Sequence, residues 1–114
     1  AVISAAGEEA TAPMIESRGS GEVAAVWMET SGGGNVDAWN AISRRSADGG
    51  ATWAPAVRVS DAVSGAAYKD AAGFDEIYGD YGEMAFTNTG KAIAVWAEGF
   101  SYDGPGGAWV NRER

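Results

Sequence analysis

Apolar residues in this chain come in short runs set between glycine-rich stretches. The run Glu22-Val23-Ala24-Ala25-Val26-Trp27-Met28-Glu29 is apolar at odd and even positions alike. Successive side chains of a strand point to opposite faces, so this run predicts a strand covered on both sides. Lys91-Ala92-Ile93-Ala94-Val95-Trp96-Ala97-Glu98 has the same character. The two runs align as Gly21-x-x-x-Ala25-Val26-Trp27-x-Glu29 and Gly90-x-x-x-Ala94-Val95-Trp96-x-Glu98, 69 residues apart. Self-similarity at that period predicts two copies of one supersecondary unit.

Each central strand has neighbours in the pattern. Residues 13–16 and 83–87 read as the strands before them, and residues 38–45 and 108–112 as the strands after. In the first unit a fourth strand follows at Ala56-Val57-Arg58-Val59-Ser60. It alternates apolar and polar, as an edge strand with one wet face does. The opening residues Ala1-Val2-Ile3-Ser4 resemble that fourth strand. The predicted order is therefore an outer strand, one whole four-stranded unit, and three strands of the next, written D-ABCD-ABC.

Composition narrows what such a protein does. The chain has 114 residues, enough for one domain, and 46% of them are hydrophobic. Gly makes up 17 of them and Pro only 3, which fits many turns and excludes Pro-rich disorder. There is no Cys, so disulfides, thiolate zinc sites and thiol nucleophiles are excluded. There is no His, which removes His-based triads and the usual general base near neutral pH. The formal net charge of −8 makes a phosphate backbone a poor partner, so no nucleic acid is expected. No apolar run reaches the ~18 residues of a membrane span, so no membrane is expected either.

One motif is more specific. Residues Ser46-Ala47-Asp48-Gly49-Gly50-Ala51-Thr52-Trp53 carry every fixed position of S-x-D-x-G-x-T-W. Ser46 and Asp48 can take nearby backbone N–H groups in a tight turn, and Gly49 and Gly50 tolerate positive φ. Trp53 is expected to fold back as a large apolar anchor between the outer strands. This stretch resembles the Asp box, or BNR repeat, of the sialidase-like β-propeller superfamily, and it falls between the third and fourth predicted strands. Pro13-Met14-Ile15, Val26-Trp27, Arg45-Ser46 and Gly79-Asp80-Tyr81 resemble the same superfamily.

The resemblance implies an all-β fold of about two four-stranded propeller blades. Blade one would span about residues 12–60 and blade two about residues 80–114, with residues 1–4 of a neighbouring chain supplying the missing outer strand. It also implies that Ser46, Asp48, Gly50, Thr52 and Trp53 are structural, and it leans towards a secreted or periplasmic protein. Sialidases resembling this fold hold a carboxylate with three arginines and use about six blades. This chain has fewer than two, and its arginines map to outer strands or to the motif's side, so no catalytic residues are assigned and the chain leans away from being an enzyme. Three copies would give six blades, which makes a cyclic homotrimer the favoured partner arrangement.

Ligand candidates come from the loops expected on the opposite face. Residues 61–79 and the segment after them bring Tyr68, Asp70, Phe74, Asp75, Glu76, Tyr78, Asp80 and Tyr81, and residues 99–107 add Tyr102 and Asp103. Aromatic rings mixed with carboxylates suit a neutral carbohydrate, or a hard cation such as Ca²⁺, though the spacing matches no EF-hand and no cofactor is otherwise expected. The plainer alternative is that these acids solvate a loop. Two functional classes stay open at this point: a non-catalytic binding or scaffold module completed by self-assembly, or a fragment of a larger sialidase-like glycoside hydrolase in which Glu76 with Asp80, or Asp75 with Tyr81, acts on the bond.

Overall fold

The computed structural model describes residues 1–30, 39–60, 82–99 and 106–113. Within them the chain is all-β, with no helix. The strands are β1 (Glu9–Arg18), β2 (Glu22–Thr30), β3 (Trp39–Ser46), β4 (Val57–Arg58), β5 (Glu83–Phe86), β6 (Ala92–Gly99) and β7 (Gly106–Arg112). They form two antiparallel sheets, β1-β2-β3-β4 and β5-β6-β7. The two central strands, β2 and β6, are the two-faced apolar runs of the repeat.

The first strand is longer than its apolar core suggests. Its register slips between Thr11 and Met14, where Ala12 adopts a positive φ of 48°. Pro13 lies in that slip, and a bulge lets a residue without an N–H sit in a paired strand. Pairing then resumes with Met14 opposite Val26. The fourth strand is shorter than expected: only Val57 and Arg58 pair with β3. Beyond them Val59 still donates its N–H to the Ala41 carbonyl, and Ser60 Oγ accepts from the Ala41 N–H at 3.2 Å.

The two sheets pack face to face around one hydrophobic core. Ala24, Val26, Met28, Trp39 and Ala41 from the first sheet meet Met84, Ala92, Ala94 and Trp96 from the second, with Met14 between them. Gly82 makes room for this: a Cβ there would stand 2.5 Å from Met14 Sδ. The second face of β2, bearing Ala25 and Trp27, is also buried. Residues 1–8 form no strand in the single chain, and Ile3 and Ser4 lie against that second face beside Ala25 and Trp27.

Charged contacts lock the sheets at one end. Arg45 Nη1 lies 2.8 Å from Glu113 Oε2, and the same oxygen accepts the Ala92 N–H at 2.8 Å. The Arg45 guanidinium also sits 5.0 Å from the centre of the Phe86 ring. Arg18 Nη2 donates to the Asn88 carbonyl at 3.1 Å while its Nη1 pairs with Glu22 at 3.0 Å. These half-exposed ion pairs add little individually in water, and their effect is to fix how the sheets are oriented.

Burial predicts which substitutions matter. Met28→Ala should cost about 2–5 kcal/mol by emptying the core, whereas Val110→Ala, on an exposed face, should stay within about 0.5 kcal/mol. Guanidinium unfolding of the two variants checks this; equal losses would contradict the packing described.

Candidate functional site

The 46–54 turn is built almost entirely from hydrogen bonds of two side chains. Ser46 Oγ donates to Asp48 Oδ1 at 2.7 Å and accepts the N–H groups of Asp48 at 3.2 Å and Gly50 at 2.8 Å. Asp48 Oδ1 then accepts the Thr52 N–H at 2.8 Å, and its Oδ2 accepts the Thr52 hydroxyl at 2.6 Å. Gly49 and Gly50 hold φ of 73° and 90°, the left-handed conformation that lets the chain reverse around the carboxylate. The Trp53 ring folds back over Gly50 and donates Nε1–H to its carbonyl at 3.0 Å.

The turn is fastened to the sheet from below. Ala54 N–H donates to the Arg45 carbonyl at 2.7 Å, and Gly49 N–H to the Gly21 carbonyl at 2.9 Å. Gly21 has φ of 119°, and a Cβ there would come within 3.0 Å of the Ala47 carbonyl oxygen. The repeat pattern pointed to Gly21, but only the fold shows that it seats the turn. Trp53 itself is half-buried and lies outside the hydrophobic core, with its ring over Gly50 in the turn between β3 and β4.

Asp48 has a pKa lowered from 3.8 to about 2, first by the Thr52 hydroxyl, then by the Thr52 N–H and the Ser46 hydroxyl, all of which favour the carboxylate. With its oxygens taken up in this way, the group holds the turn and is not poised for proton transfer. Thr52 and Asp48 themselves are exposed, so the network is local and wet.

Register separates the sheets into two ends. Glu9, Thr30 and Trp39 lie side by side at one end of the first sheet, and Gly99 lies opposite Gly106 in the second. Arg18, Glu22 and Ser46 lie at the other end, and the bonds from Arg18 and Arg45 to the Asn88 and Gly90 carbonyls place the start of β6 there too. Thr30, Trp39, Ser60, Gly99 and Gly106 therefore lie toward the end away from the turn, and β5 starts at Glu83 opposite Val95 with its other end toward the turn.

The ligand candidates Tyr68, Asp70, Phe74, Asp75, Glu76, Tyr78, Asp80, Tyr81, Tyr102 and Asp103 lie outside the described residues. Among the described residues no three carboxylates come together as a cation site needs. Arg18 and Arg45 are engaged in the inter-sheet contacts above, and Arg44 donates to the carbonyls of Ala54 at 2.7 Å and Ile3 at 2.9 Å. Sequence reasoning missed Glu29, which accepts the Trp27 indole N–H at 2.9 Å and the Ala5 N–H at 3.1 Å. The Trp-x-Glu spacing carries that signal, since residues two apart on a strand share a face.

No protein-family model matches the chain, and no curated protein or solved structure does either. What defines it is its own architecture: two antiparallel sheets packed face to face, with a side-chain-locked turn at one end.

The lowered Asp48 pKa gives a signed pH dependence. Its stabilisation is fully present above the unfolded value of 3.8 and is lost as pH falls through about 2. Asp48→Asn should lower the melting temperature at pH 7, and that gap should narrow between pH 4 and pH 2 as the wild-type carboxylate protonates. Thermal melts across that range check it; a gap independent of pH would show that the charge on Asp48 does not hold the turn.

Proposed function

We propose that this chain is a non-catalytic binding or scaffold module built from sialidase-like propeller blades, with a neutral carbohydrate held by its loops and a ring completed by self-assembly. The observation that carries the reading is the separation of two chemically unlike ends. At one end the Asp-box-like turn consumes its own polar groups, and Arg18 and Arg45 are tied into contacts between sheets. Away from that end lie Ser60, Gly99 and Gly106, where the chain leaves for and returns from the aromatic and acidic segments 61–81 and 100–105. The sequence of those segments mixes aromatic and acidic side chains, and such loops on a rigid sheet suit binding of a neutral sugar. With two blades in each chain, three chains make a six-bladed ring, within the 4–8 blades at which propellers close.

A panel of immobilised neutral and sialylated oligosaccharides tests the reading. The chain should retain neutral glycans, and Tyr78→Ala and Tyr81→Ala should each weaken binding about fivefold, the loss of about 1 kcal/mol from one stacked ring. No sialic acid should be released from a reporter sialoside. Failure to bind any neutral glycan, or turnover of the sialoside, would discard the proposal.

A further inference from the structure

We infer that the 46–54 turn and the contact between the two sheets open and close as one unit, with Arg45 as the residue that joins them. The hydrogen bonds of Ser46 and Asp48 are local, but the two anchors of the turn are not. Ala54 N–H donates to the Arg45 carbonyl at 2.7 Å, and Gly49 N–H to the Gly21 carbonyl at 2.9 Å. Charges that grip the second sheet sit at those same two places. Arg45 is itself an anchor, and Glu22 directly follows Gly21.

The grip is a series of alternating charges. Arg18 Nη1 pairs with Glu22 Oε2 at 3.0 Å, Glu22 Oε1 lies 3.7 Å from Arg45 Nη2, and Arg45 Nη1 lies 2.8 Å from Glu113 Oε2. The first three belong to β1, β2 and β3, and Glu113 directly follows β7. The series fastens on backbone where β5 turns into β6. Arg18 Nη2 donates to the Asn88 carbonyl at 3.1 Å, Arg45 Nη1 to the Gly90 carbonyl at 3.3 Å, and Glu113 Oε2 accepts the Ala92 N–H at 2.8 Å. That turn holds its own shape: Thr87 N–H donates to the Lys91 carbonyl at 2.8 Å, and Thr87 Oγ1 accepts the Lys91 N–H at 2.9 Å. Gly90, at a φ of 82°, lets Arg18 approach, since a Cβ there would run into the guanidinium.

Arg45 depends on the turn for its place. β4 pairs with Ile42 and Ser43, and beyond them the outer edge of β3 is held by Ala54. The Ala54 carbonyl accepts Arg44 Nε–H at 2.7 Å while its N–H reaches the Arg45 carbonyl. A turn that opens releases that edge, and with it the guanidinium that meets Glu113, Gly90 and the Phe86 ring. The dependence also runs the other way. Without Glu113 the Arg45 side chain loses its shortest ion pair, and the backbone of the same residue carries the carbonyl on which the turn closes. Residues tied into one hydrogen-bond and ion-pair network are coupled in this way, and such coupling is reciprocal. The turn thus acts as a latch on the angle between the sheets.

Amide hydrogen exchange of the whole 114-residue chain tests the coupling, each rate being divided by that of the Val26 amide in the core to remove changes in global stability. Glu113→Gln removes a charge at a half-exposed residue outside the strands, so the fold should survive it. It should quicken the Gly50 and Thr52 amides, which donate to Ser46 Oγ and Asp48 Oδ1, by about threefold, the size of effect that a half-exposed ion pair transmits. Asp48→Asn, which loosens the turn, should quicken the Ala92 and Glu113 amides of the second sheet by a similar factor. Turn amides that keep their rates in Glu113→Gln would overturn the coupling. So would Asp48→Asn if it quickened Gly50 and Thr52 and left Ala92 and Glu113 as they were.

Discussion

Two central strands that are apolar on both faces dominate this structure. A strand of that kind is stable only where something covers each side. In β2 one side is covered by the second sheet and Ile3 and Ser4 lie beside the other, and Ala24, Ala25, Val26 and Trp27 are all buried. In β6 the side bearing Ala94 and Trp96 is covered by the first sheet, while Val95 on its other side stays exposed. The remaining features serve this packing. Gly82 admits Met14 between the sheets, the bulge before Met14 brings it into phase, and Arg45 with Glu113 fixes the orientation.

Polar chemistry is concentrated in a small region and is used for shape. Ser46 and Asp48 close the turn with five hydrogen bonds between them and their neighbours. A carboxylate held that way has its charge stabilised at ordinary pH, which is the opposite of what an acid catalyst requires. Chemistry at this end is therefore spent on holding the fold.

Much of the fold was legible in the sequence because burial on two faces leaves a run that no amphipathic strand or helix imitates. Residues 22–29 and 91–98 announced β2 and β6 within one residue of their observed limits. The start of β1 was not legible, since Glu9, Ala10 and Thr11 are exposed or half-buried and Pro13 reads as a break. The short β4 was overestimated because Val59 spends its carbonyl on Asn111 in place of a ladder bond. In the 46–53 motif the local bonding was readable from residue types, but the cover of Gly50 by the Trp53 ring was not, because spacing carries no information on which neighbour the ring covers. The Arg45–Glu113 pair joins residues from different sheets, and nothing in the local pattern around either one points to the other. The aromatic and acidic candidates between Tyr68 and Tyr81, with Tyr102 and Asp103, lie outside the described residues and stand on sequence alone.

The two sheets hold each other through one core, in which Ala24, Val26 and Met28 of β2 pack with Ala94 and Trp96 of β6. Amide hydrogen exchange of the β2 and β6 ladders, compared between the wild-type chain and Trp96→Ala, reads that dependence directly. Exchange should quicken in both sheets, because a cavity on one side of a shared core loosens the other side as well. Faster exchange confined to β5, β6 and β7, with the β2 amides unchanged, would contradict it.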